Sequence, residues 1–207
     1  MTTGRAWLAP LTGVAFIVVA IIGLVVAGEP KSADEPLKEI VGYYVDNKDS
    51  IQIGAVLGVA AGVLLIFFGA YLRGVLRAAA GPVEALSLVS FVGLAIVALG
   101  FAIDGTISFA LAEAADDIDP VAVQSLQALW DNDFLPIMLG VISFLMATGI
   151  SVIRSGVLPR WLGWVMVALA IIGATPIGFA AAIGTALLVL VLSIMLAVRA
   201  RSAASPT

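Results

Sequence analysis

The sequence contains no cysteine and no histidine. These absences exclude disulfides, thiolate or imidazole metal ligands, haem ligation through histidine, and every catalytic dyad built on either residue. Charge is scarce as well. Asp, Glu, Lys and Arg make up 12% of the 207 residues, about half the share usual in soluble domains. Neither a Walker loop, a Gly-x-Ser-x-Gly elbow, a His-Glu-x-x-His pair nor a dinucleotide fingerprint occurs, and no cofactor is expected. What fills the chain is apolar: 62% of residues, with a mean hydropathy of +1.16. Such values belong to an integral membrane protein, and several runs of about 20 apolar residues leave room for one helical bundle over residues 1–207.

Read in order, the first span runs from Trp7 to Ala27, with Pro10 in its opening turn, where a missing N–H costs little. Its apolar core from Leu11 onward is longer than a signal-peptide core, so an uncleaved span is expected although Val25-Val26-Ala27 resembles a cleavage site. The polar stretch 28–50 predicts a short amphipathic helix after Ser32 or Asp34 as N-cap. Leu37, Ile40, Val41, Tyr44 and Val45 form its apolar face. The second span, Ile51 to Leu72, carries Gly54, Gly58 and Gly62 at intervals of four, a flat face suited to close helix packing. Gly81-Pro82 marks the turn to the third span, Leu86 to Ala112. The stretch 113–133 holds six carboxylates and no Lys or Arg. Within it Asp119-Pro120 predicts the start of a helix reaching Trp130, with Val123, Leu126 and Trp130 on one face.

A fourth span follows from Phe134 to Ile153, and then the basic connector from Arg154 to Arg160. The 38 uncharged residues between Arg160 and Arg199 would make a helix about 57 Å long, too long for one crossing, so the chain folds back at Thr175-Pro176-Ile177-Gly178. A short fifth leg, Trp161 to Ala174, and a sixth span, Phe179 to Val198, result. The expected fold is all-α: a polytopic transmembrane bundle of about six spans, with short interfacial helices in the two outer loops. Lys and Arg set its orientation. With the N-terminus cytoplasmic, Arg5, Arg73, Arg77, Arg154, Arg160, Arg199 and Arg201 lie inside and Lys31, Lys38 and Lys48 outside. Trp7, Tyr71, Trp161 and Trp164 then sit at inner boundaries, and Tyr43, Tyr44 and Trp130 at outer ones. The expectation is an inner-membrane protein with both termini cytoplasmic and the acidic stretches 28–50 and 113–133 outside.

Asp104 is the ionisable side chain that falls inside an apolar run. A charge at the bilayer centre costs at least about 2.5 to 3.5 kcal/mol, so an intramembrane acid is a candidate site. It lies about 27 Å along the third helix from Leu86, near enough to the outer face to be solvated or to reach Thr106 and Ser108. A transport role would require Asp104 to share a cavity with hydroxyls such as Ser87, Ser90, Ser143, Thr148 and Ser151. The outer acids Asp116, Asp117, Asp119, Asp131 and Asp133 are of the type that binds calcium or magnesium, but their spacing matches no EF-hand, and a solvated acidic surface is expected.

Glu29-Pro30, Tyr43-Tyr44 and Asp46-Asn47-Lys48-Asp49 before the second span, with Gly156-Val157-Leu158-Pro159-Arg160-Trp161-Leu162-Gly163-Trp164 before the fifth, resemble features of small, uncharacterised multi-span actinobacterial membrane proteins. The resemblance implies a six-helix inner-membrane protein and brings no activity and no functional residues. Three function classes remain. The first is a non-catalytic accessory or scaffold bundle in contact with lipids, another membrane protein or a second copy. The second is a small proton- or cation-coupled transporter or channel using Asp104, and the third an intramembrane or lipid-modifying enzyme. Nucleic acid is not an expected partner, because the arginines are dispersed over four segments.

Overall fold

The computed structural model describes residues 3–79 and 84–204, with side chains from 7 to 202; Gly81-Pro82 lies outside the described residues. The chain is an all-helical bundle. A 3-10 stretch, Thr3–Leu11, leads into α1 (Thr12–Ala27), followed by α2 (Leu37–Asp46), α3 (Lys48–Ala79), α4 (Glu84–Ala114), α5 (Pro120–Trp130), α6 (Phe134–Ser155), α7 (Arg160–Gly173) and α8 (Phe179–Ala204). Five of these segments are long and apolar enough to cross a bilayer: α1 with its 3-10 lead, α3, α4, α6 and α8. At 14 residues α7 is about 21 Å long and falls short of a hydrocarbon core of about 30 Å. These five segments and α7 pack in sequence order, and α8 returns to close against α1.

Proline decides two helix starts that periodicity had placed earlier. The first α-helix begins at Thr12, not Trp7, because Pro10 has no N–H and its ring crowds the carbonyl four residues back; the chain before it takes 3-10 geometry. The junction is completed from the far end of the sequence. Ser193 of α8 donates its hydroxyl to the Pro10 carbonyl and accepts the Val14 N–H at 3.1 Å, so its oxygen stands where a direct Val14-to-Pro10 helical bond would be. Similarly α2 starts after Pro36, since a residue preceding proline is pushed out of helical geometry. Ser32 is therefore not its N-cap. Ser32 instead closes a turn, its carbonyl accepting the Glu35 N–H at 3.0 Å and its hydroxyl accepting the Asp34 N–H at 3.3 Å.

The start of α5 falls where the sequence placed it. Asp119 accepts the Val121 N–H at 2.8 Å and caps α5, with Pro120 in the first turn. Gly156, at φ 64°, ends α6 in the left-handed conformation that glycine adopts without a side-chain clash. The turn between α7 and α8 contains Thr175, Pro176 and Ile177. On α8 the buried positions Ala181, Thr185, Leu188, Leu192 and Leu196 recur at three and four residues and, with Val189 and Ser193, form its inward face, while Ile183, Leu187, Val191, Ile194 and Val198 are exposed.

Two ends can be told apart. One, the basic end, joins Arg77 to Glu84 at 3.1 Å and has Arg199 donating to the Val157 carbonyl at 2.6 Å. The other, the acidic end, is roofed by α2 and α5, which pack on each other and on the ends of α3 and α4. A second apolar cluster of Ile40, Tyr44, Ile51, Leu111, Ala115 and Val123 binds this roof to the bundle. The main core, including Leu65, Phe68, Phe144, Leu145, Met166 and Leu192, fills the rest.

The glycine ladder of α3 only partly packs as expected. A Cβ on Gly54 would lie 2.6 Å from the Cβ of Ala27 in α1, and one on Gly62 3.2 Å from the Ala98 carbonyl in α4. Gly58 between them makes no close approach, since a Cβ there meets nothing within 4 Å. The tightest crossings lie elsewhere. Gly93 and Gly140 put α4 and α6 backbone to backbone, and Gly149 and Gly163 do the same for α6 and α7. In lipid such faces gain dispersion contacts that bulkier residues would prevent.

Candidate functional site

The space beside Gly58 is a cavity of about 140 Å³. Its walls come from the end of α1, the start of α3, the turns of α4 toward the acidic end and the roof helices, and Asp104 is part of them. Folding places the acid there by length. At 31 residues α4 is about 47 Å long and carries Asp104 up beneath the roof, beyond the packed core. Most of the wall is apolar, including Ala20, Leu24, Ile51 and Ala55, while Tyr43, Tyr44, Phe101 and Trp130 add four aromatic rings.

Hydrogen bonds hold the roof. The Tyr44 hydroxyl donates to Gln127 Oε1, and Gln127 Nε2 donates to Asp131 Oδ1 at 2.7 Å. Asp131 Oδ2 accepts the Ala33 N–H at 2.9 Å, and Gln124 Nε2 donates to the Ala33 carbonyl at 2.8 Å. The connection after α1 is thus tied to α5 twice. Tyr43 donates to the Ala27 carbonyl at 3.0 Å, satisfying an acceptor that the end of α1 leaves without a helical partner. The Tyr43 and Tyr44 rings meet edge to face, with centroids 5.2 Å apart. Burial, the larger cause, and the nearby acids push the Tyr44 phenol well above its ordinary range; burial also raises Tyr43.

Two polar atoms at this end stay unsatisfied. Trp130 Nε1 and Asp133 Oδ2 are buried without hydrogen-bond partners. The indole N–H lies close to the Asp104 carboxyl without closing a hydrogen bond, and Asp133 is near enough for its charge to act on Asp104. Among the described residues no Lys or Arg pairs with either acid: Lys31 is held by Glu35 at 3.0 Å, and Lys48 by Glu113 at 3.2 Å.

Several sequence expectations change here. Thr106 and Ser108 do not reach the Asp104 carboxyl, because each hydroxyl donates to the backbone carbonyl four residues before it, that of Ala102 and of Asp104 itself. Nor do the interior hydroxyls share its cavity. Ser90 bonds Thr148 at 2.7 Å between α4 and α6, about 21 Å along α4 from Asp104, and Ser87 and Ser151 bond carbonyls of their own helices. Ser143 is half-buried and outside the cavity wall. Tyr44, expected as an interface anchor, is only 2% exposed. Trp161 and Trp164, at 61% and 62%, do face outward.

The carboxylates of the second acidic stretch are dispersed. Asp116 and Asp117 are exposed, Asp119 caps a helix and Asp131 serves the roof; among the described residues no three acids converge. Gln127, fully buried, escaped the sequence reading. Its signal was present: with Val123, Leu126 and Trp130 it occupies the apolar face of α5, where a polar side chain requires a partner. Chemically, the site offers one carboxylate, a free indole donor and aromatic walls. It has no nucleophile-base pair, since the Ser108 hydroxyl is committed to backbone. No family model, characterised protein or solved structure matches the chain.

Proposed function

We propose that the protein is a non-catalytic bundle of the inner membrane that acts as a binding or accessory protein through the cavity at its acidic end. The observation carrying this reading is the cavity with Asp104 in its wall and the unsatisfied Trp130 N–H beside it. Apolar hollows with a few convergent polar groups are the usual form of small-molecule sites, and an intramembrane acid is kept at a cost. A transport path receives less support. Toward the basic end the helices are filled by Leu65, Phe68, Leu94, Phe144 and Leu145, each at most 1% exposed. Orientation follows the positive charges, with the basic end and both termini cytoplasmic and the roof of α2 and α5 outside. Lipid contacts the exposed apolar faces, such as Leu24 and Val25 on α1.

Gly58 provides the test. A leucine there would project into the cavity, while the fold should hold, because the new Cβ meets no atom and leucine favours helix over glycine by about 0.5–1 kcal/mol. Small molecules extracted from the full chain in lipid nanodiscs are compared by mass spectrometry with those from Gly58→Leu. A compound enriched several-fold on the unaltered chain, with equal or higher melting temperature for the variant, is expected. Identical extracts from two folded proteins would overturn the binding-site reading.

A further inference from the structure

Taking the cavity as a binding site, we infer that its ligand is a small lipophilic organic cation, a protonated amine on an apolar body of about one ring. Size sets the body. A cavity of about 140 Å³ is close to the engineered apolar cavity of roughly 150 Å³ that holds benzene. A phospholipid headgroup with its phosphate is too large for it, and the wall offers no basic side chain to receive one.

Charge sets the head. Asp104 is the acid in the wall, Asp133 is near enough for its charge to act on it, and the lysines of this end are tied to glutamates or exposed on α2. A carboxylate among apolar walls with no internal counter-ion is completed by a cation that donates to it, whereas an anion would be repelled. The four aromatic residues Tyr43, Tyr44, Phe101 and Trp130 in the wall are of the type whose ring faces attract an ammonium group. A divalent metal fits poorly. It takes six or more oxygen ligands, yet among the described residues no three acidic side chains converge, and the remaining wall is largely hydrocarbon. The twelve acids of stretches 28–50 and 113–133 against three lysines give this end a negative field that draws cations toward it.

The test uses three ring-sized probes on the full chain in an uncharged detergent: benzylammonium, its neutral isostere ethylbenzene, and benzoate. Isothermal titration and thermal shift are read in parallel. Benzylammonium is expected to bind saturably and raise the melting temperature, with ethylbenzene and benzoate at least tenfold weaker. Asp104→Asn should erase the preference for the cation while retaining ethylbenzene binding, and Gly58→Leu should abolish both. Ethylbenzene binding as tightly as benzylammonium, or an unchanged preference in a folded Asp104→Asn variant, overturns the cation assignment and leaves the cavity a site for neutral molecules. Failure of all three probes overturns the cation assignment and counts against the site itself. If Asp104→Asn does not fold, the ranking of the three probes on the unaltered chain, together with Trp130→Phe, decides: a lost ranking there overturns the assignment.

Discussion

One phenol limits the pH range of the acidic end. Tyr44 is buried and donates to Gln127, and its folded-state pKa lies above the unfolded value of about 10. A group raised in this sense contributes its full stability below about pH 10 and loses it as pH climbs toward the folded value, because the unfolded chain ionises first. Thermal unfolding in detergent should be level up to about pH 10 and fall beyond it. Tyr44→Phe should lower stability at pH 8 by about 1–3 kcal/mol, leaving Gln127 Oε1 without its donor, yet fall less steeply above pH 10. Equal alkaline slopes for the two proteins would remove Tyr44 as the cause. Asp104 itself was legible in the sequence, as a lone acid in an apolar run. Its surroundings were not: Tyr43 and Trp130 read as lipid-interface anchors because both have amphipathic rings at predicted boundaries. Only the folding of α2 and α5 over the bundle turns those rings inward.

Among elements, the crossing of α4 and α6 carries the clearest expectation. A Cβ on Gly140 would stand 2.6 Å from the Gly93 carbonyl and 2.7 Å from the Val97 nitrogen, both backbone atoms that cannot swing aside. Gly140→Ala should therefore cost about 1–3 kcal/mol as the two helices separate, and lower the melting temperature by several degrees. Gly74→Ala, where an added Cβ meets nothing within 4 Å, should be neutral or slightly stabilising and serves as the control. A melting temperature for Gly140→Ala equal to that control would show that the crossing yields freely. The spans, the folded-back fifth leg and the cap of α5 were readable, since long apolar runs, an uncharged stretch too long for one crossing and Asp-Pro each act locally. Which glycines meet was not readable. The interval of four in α3 gives a flat face, but the partner's register decides that Gly54 and Gly62 are used while Gly58 borders empty space.

For the molecule as a whole, the absence of cysteine makes topology directly measurable. Single cysteines at Asp34 and Asp117, exposed at the acidic end, should react with a membrane-impermeant maleimide added to intact cells stripped of any outer barrier. Cysteines at Ala78 and Ser202, exposed at the basic end, should react only after lysis. Labelling of Ala78→Cys from outside would invert the proposed orientation. Charge bias is what the proposed orientation rests on, while the closure of the ring was hidden in the sequence, because the contact of α8 with the start of α1 joins groups 183 residues apart. That closure bears on how the protein is made. α1 leaves the ribosome with a proline-broken opening, and the hydroxyl that mends it belongs to α8, 183 residues further along the chain. Until α8 has been made, the nascent chain holds an unfinished helix start at the basic end, and the arrival of Ser193 completes it. A chain stopped before α8 would therefore lack not only that helix but also the closed start of α1, a mark by which membrane quality control could distinguish an unclosed bundle from a closed one.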